Sequence, residues 1–182
     1  MPMPLKKIMK ISTPRQVIDE GEYPAMIVGV MYPKDASGDS IRTRAQFLLQ
    51  VHGPHGMFYV STSQFSVSFN ETGTLFELLS EFAGASNGDE LLDNLDYMGY
   101  IGADTFDEAD FIGTPVTAVV AIRELPNPKT GVLKTCNVVK AFKPISDDRA
   151  PALDKNHMIP AGFANVHKYD LVFDEDLYID CI

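Results

Sequence analysis

Hydrophobic and polar positions alternate along Arg42 to Val51, with Ala45, Phe47, Leu49 and Val51 on one parity and Arg44, Gln46, Leu48 and Gln50 on the other. A period of two marks a strand with one face toward a core, so this segment is predicted as a strand whose second face is basic and polar. Upstream, GEYPAMIVGVMY from Gly21 to Tyr32 is rich in apolar and β-branched residues and is closed by Pro33 and the turn-forming KDASGD. That pattern predicts an earlier strand. Downstream, His52-Gly53-Pro54-His55-Gly56 reads as a tight hairpin connection into a third strand over Met57 to Phe65. The three strands together make a meander.

The period then changes. Leu75, Leu78, Leu79 and Phe82 stand at i, i+3, i+4 and i+7, which predicts an amphipathic helix near residues 74 to 83. Asn70 or Thr72 is placed to cap its start and Gly84 to end it. A stretch rich in Gly, Asp and Asn follows, with a short second helix over Glu90 to Tyr97. The strand period returns in PVTAVVAIRE, is interrupted by the turn LPNPKTG, and resumes from Leu133 to Phe142. Strand, strand, strand, helix, strand, strand is the order of an OB fold, so the fold class is mainly β (α+β): a five-stranded OB-like barrel with its helix between strands three and four. A β-sandwich or an open sheet with a packed helix is the structural alternative. Residues 1–146 form the OB-like domain with a basic N-terminal arm, and residues 147–182 a C-terminal arm ending in YDLVFDEDLYIDCI. The apolar residues of that ending, Leu171, Val172, Phe173, Leu177 and Ile179, suit either partner docking or a final strand.

Charge sharpens this picture more than composition does. The net charge is −10, but no Lys or Arg occurs between Arg44 and Arg123, a stretch holding eleven carboxylates from Glu71 to Asp110. Cations flank it on both sides. No apolar run approaches the roughly 20 residues of a membrane span, and the lysine-bearing start has no signal-type apolar stretch behind it. The expectation is a cytoplasmic protein in a host cell. Cys136 and Cys181 make neither a metal spacing nor a disulfide framework and are expected as free thiols.

Catalytic chemistry leaves no signature. The four histidines make no zinc pattern with the cysteines, and Asp104, Asp107, Glu108 and Asp110 lack the glycine and terminal glutamate of an EF-hand. Neither a nucleophile elbow, a phosphate-cradling loop nor a dinucleotide fingerprint occurs. The chain is therefore expected to bind rather than catalyse, with no cofactor and no metal.

VIDEGEYPAMIVGV, SVSFNETGTLFELLSEFAG and DFIGTPVTAVVAI followed by a turn and CNVVKAFKP occur in that order over roughly residues 17 to 144. In this they resemble an uncharacterised bacteriophage family related to single-stranded-DNA-binding OB proteins. The helix departs from that pattern, with Leu75-Phe76-Glu77 and Phe82-Ala83-Gly84 where basic or aromatic residues are expected. The resemblance implies a role in nucleic-acid metabolism. On that reading a basic groove and aromatic faces hold single-stranded DNA, with Arg42, Arg44, Tyr59, Arg123, Lys129, Lys134 and Lys140 as candidates. The acidic tail is similar to the partner-docking tails of bacterial single-stranded-DNA-binding proteins. A second reading is an anti-CRISPR-type inhibitor whose acidic surface binds a basic nuclease, through Glu77, Glu81, Asp107, Glu108 and Asp110. A structural virion protein is a third reading, and homo-oligomers fit any of them.

Overall fold

The period-two segments become strands in the computed structural model, which describes residues 17–32, 37, 44–66, 71–102, 105–126, 130–153, 158–160 and 172–174. Strands β1 (Gly21–Met31), β2 (Arg44–Gly53) and β3 (Gly56–Ser61) form the expected meander, and a short β4 (Phe65–Ser66) returns onto β2. Helices α1 (Thr74–Ala83) and α2 (Gly88–Tyr97) follow, then the two-residue strands β5 (Ile101–Gly102) and β6 (Thr105–Phe106) and a 3-10 turn at Glu108–Phe111. Long strands β7 (Pro115–Pro126) and β8 (Leu133–Lys143) complete the main sheet, whose order is β3-β2-β1-β7-β8. Every neighbouring pair in it is antiparallel. β9 (Met158–Pro160) and β10 (Val172–Asp174) pair in parallel as a separate ribbon, so the apolar tail does supply a short strand.

The sheet is open and curled, a half-barrel rather than the closed barrel expected. Among the described residues its two edges touch at one parallel bridge, Thr62 with Val139. Two bulges sharpen the curl, because an extra residue in one strand raises the local twist. Val28 is skipped where the β1–β2 register passes from Ile27 to Gly29, and Lys140 is skipped where β8 passes from Ala141 to Val139 opposite Val119 and Val120.

Apolar side chains on the concave face meet around Phe47, whose ring lies 5.1, 5.7 and 5.9 Å from those of Phe65, Phe111 and Phe142. α1 closes this core over β8 with Leu75, Leu78, Leu79 and Phe82, the stripe the spacing predicted, and α2 packs on α1 with Leu91 and Leu95 buried. Gly84 ends α1 in the left-handed region at φ 67°, which a glycine enters without a Cβ clash. The start differs from expectation. Gly73, not Thr72, is the N-cap and makes no side-chain cap, while Asn70 lies outside the described residues.

Two further expectations are corrected. β2 is buried on both faces: Gln46 and Gln50 are 1% and 0% exposed, and Leu48 forms with Val28 a small cluster against which Met26, Met31, Tyr59 and Leu153 of the C-terminal arm pack. Periodicity reports which residues share a face, whereas coverage of the second face comes from residues elsewhere in the chain, Leu153 about a hundred positions away among them. Cys136 is disulfide-bonded rather than free, and no cysteine among the described residues is free. Chain spacing cannot show such a bond, because Cβ proximity in the fold decides it. No helix among the described residues is long and apolar enough to cross a membrane.

Candidate functional site

The seam where the end of β3 meets β8 gathers most of the described cationic candidates. Arg44 opens β2, is exposed, and faces Ser66 of β4 in the ladder. Arg123 of β7 reaches the same connection and donates from Nη2 to Ser63 Oγ. Lys140, exposed at the β8 bulge, neighbours Val139, the residue that bridges to Thr62. A bulge of this kind frees a side chain from the ladder's alternation. None of these three cations has an ion-pair partner among the described residues. Lys143 is different: it pairs with Glu22 and, at 3.5 Å, with Glu81. Those carboxylates, chiefly the hydrogen bond to Glu22, hold its ammonium above the usual lysine range.

Beside the seam, Tyr59 of β3 is half-buried against Val28 and Leu48, and its hydroxyl accepts a 3.2 Å hydrogen bond from Gln50 Nε2. Part of its ring is therefore already used in packing. Gln46 donates from Nε2 to Ser61 Oγ and to the Thr62 carbonyl at 3.2 and 2.9 Å, while Thr62 Oγ1 accepts from the Phe47 amide. These bonds fix the seam's backbone. Lys134 pairs through its backbone with Leu125. Arg42 and Lys129 lie outside the described residues. Sequence reading missed Ser63, Thr62 and Gln46, which carry no signal until β3 and β8 are seen to meet.

The acidic candidates do not share one fate. Glu77 is exposed on α1, and Glu81 is exposed but tied to Lys143. Asp107 caps the 3-10 turn by accepting from the Ala109 amide at 3.0 Å, and Asp110 is exposed. Glu108, expected on the surface, is 6% exposed and accepts a 2.8 Å hydrogen bond from the Tyr32 hydroxyl. That corrects the expectation that Glu108 is a surface position. α2 adds exposed Asp89, Asp93 and Asp96, with Leu92 and Tyr97 exposed among them.

No cluster of three or more His, Cys, Asp or Glu among the described residues has metal-holding geometry. No family model, curated protein or solved structure matches the chain.

Proposed function

We propose that the protein is a non-enzymatic OB-like binding module that holds single-stranded nucleic acid, DNA in the first instance, along the β3–β8 seam. The OB-like part of this reading rests on connectivity: a three-strand meander, a helical insertion, then two strands, with the edges approaching through a parallel bridge. The nucleic-acid part rests on one observation: Arg44, Arg123 and Lys140 stand beside the Thr62–Ser66 stretch with no ion-pair partner among the described residues, in a molecule of net charge −10. Free cations in an acidic protein are phosphate-contact candidates, because paired ones such as Lys143 are already neutralised. Tyr59 supplies a partial stacking face beside them. The site of action on this reading is the host-cell cytoplasm.

Fluorescence anisotropy with a labelled oligo-dT tests this. Binding is expected to be weak and salt-sensitive, because overall charge opposes it. Changing Arg44 and Lys140 together to Ala should weaken it and lower the slope of log affinity against log salt by about 1 to 1.5, the signature of two lost phosphate contacts. Unchanged affinity and slope would move the interface elsewhere.

A second reading has its own observation. Glu77, Asp89, Asp93, Asp96, Asp107 and Asp110 have no ion-pair partner among the described residues. Such a surface complements a basic protein, as an inhibitor or adaptor of a nucleic-acid-handling enzyme such as a CRISPR nuclease requires.

A further inference from the structure

A half-open cavity of about 310 Å³ lies at the hairpin end of the sheet, away from the β3–β8 seam. Two segments make its walls: the run entering β1, with Ile18, Asp19 and Tyr23, and the β2–β3 hairpin, with Pro54, His55 and Phe58. The first wall is anchored rather than loose. Ile18 exchanges two 2.9 Å hydrogen bonds with the Asn137 side chain through its amide and carbonyl, and Glu20 accepts from the Ile122 amide. Both rings lie over glycine backbone, so that a Cβ at Gly21 would meet the Tyr23 ring at 3.7 Å and one at Gly53 the Phe58 ring at 3.7 Å. The Tyr23 hydroxyl is occupied, donating at 2.6 Å to the Asp19 carbonyl. The Asp19 carboxylate, by contrast, has no hydrogen-bond or ion-pair partner among the described residues.

We infer that this cavity is a binding site for an organic cation, an alkyl guanidinium or ammonium group. Aromatic rings attract a cation through their quadrupole, and Tyr23, Phe58 and the His55 imidazole are among the residues that line the cavity. An unpaired carboxylate beside them adds a charge-assisted hydrogen bond that a guanidinium or ammonium satisfies and a phosphate does not. No Lys or Arg is among the described lining residues, which disfavours anions such as nucleotides. The volume stands at the low end of the roughly 300–1,000 Å³ of small-ligand sites, enough for one long basic side chain or one small amine. Both sources present the same group. The site is separate from the seam, so it stands or falls independently of the nucleic-acid reading.

Amide NMR of the full-length protein tests the assignment with four probes: agmatine, N-acetyl-Gly-Arg-Gly-amide, the same peptide with citrulline for arginine, and dCMP. The arginine peptide or agmatine should perturb residues 18 to 23 and 55 to 58, and the citrulline peptide should bind about tenfold more weakly. The variant Asp19→Asn, at an exposed position, should weaken the cation about tenfold while leaving the thermal midpoint and oligo-dT binding unchanged. Tighter binding of the peptide than of agmatine identifies a protein side chain as the source, and the reverse identifies a free amine. Equal binding of citrulline and arginine peptides, preference for dCMP, absence of cation binding, or indifference to Asp19→Asn would each overturn the proposal.

Discussion

Asp107, Glu108 and Asp110 stand within four positions of each other, yet only one is inside. A 3-10 turn has three residues per turn, and here it sends Glu108 against Tyr32 while Asp107 caps the turn and Asp110 meets water. Nothing in the residue types separates them, so the sequence alone treats all three as surface. Glu108→Ala is expected to cost about 1–3 kcal/mol in urea unfolding, because it removes a buried hydrogen bond and leaves a void. Asp110→Ala should stay within about 0.5 kcal/mol. Equal, small effects would mean that the Tyr32–Glu108 contact carries no stability. Tyr59 teaches the same lesson in reverse: read as a stacking residue, it gives part of its ring to the packing of Val28 and Leu48.

At the scale of elements, what was readable was local. Helix α1 and its buried stripe follow from i, i+3, i+4 spacing, and Gly84 from the αL geometry that ends a helix. The link between elements was not readable. Glu71, before α1, accepts a 2.7 Å hydrogen bond from the Gly88 amide at the start of α2, and Asn94 of α2 donates back to the Ala83 carbonyl at 2.8 Å. The Gly88 amide stabilises the ionised Glu71 and holds its carboxyl below the usual range. A folded-state value below the unfolded one adds stability that is complete above the ordinary carboxylate range and is lost as pH falls through the lowered value. Glu71→Gln should therefore lower the thermal midpoint at pH 7, with the gap to wild type closing as the pH is taken into acid. A gap that stays constant with pH would show that the charge of Glu71 does not matter to the junction.

At the scale of the molecule, the two functional readings differ in sign. A variant carrying Glu77→Gln, Asp93→Asn, Asp107→Asn and Asp110→Asn removes four negative charges from exposed positions and keeps Asn as the turn cap. Under the nucleic-acid reading its affinity for oligo-dT should rise severalfold at low salt, an advantage that shrinks as salt screens it. If a basic protein is the partner, the same variant should bind it less well, chiefly through a slower on-rate. No change in either assay would leave a structural role as the better account.

The chain by itself determined the parity of its strands, the apolar stripe of α1, the order of elements and the 78-residue interval without a cation, because each is a local or compositional property. Only the tertiary structure decided that the sheet stays a half-barrel with its edges meeting at one bridge, and that the second face of β2 is covered. It also decided that Cys136 is bonded, that Glu108 is inside, and that Arg44, Arg123 and Lys140 each stand beside the Thr62–Ser66 stretch. Those outcomes depend on contacts between residues tens of positions apart. Their geometry arises from sheet twist, bulges and packing around Phe47, none of which a linear pattern of residue types encodes.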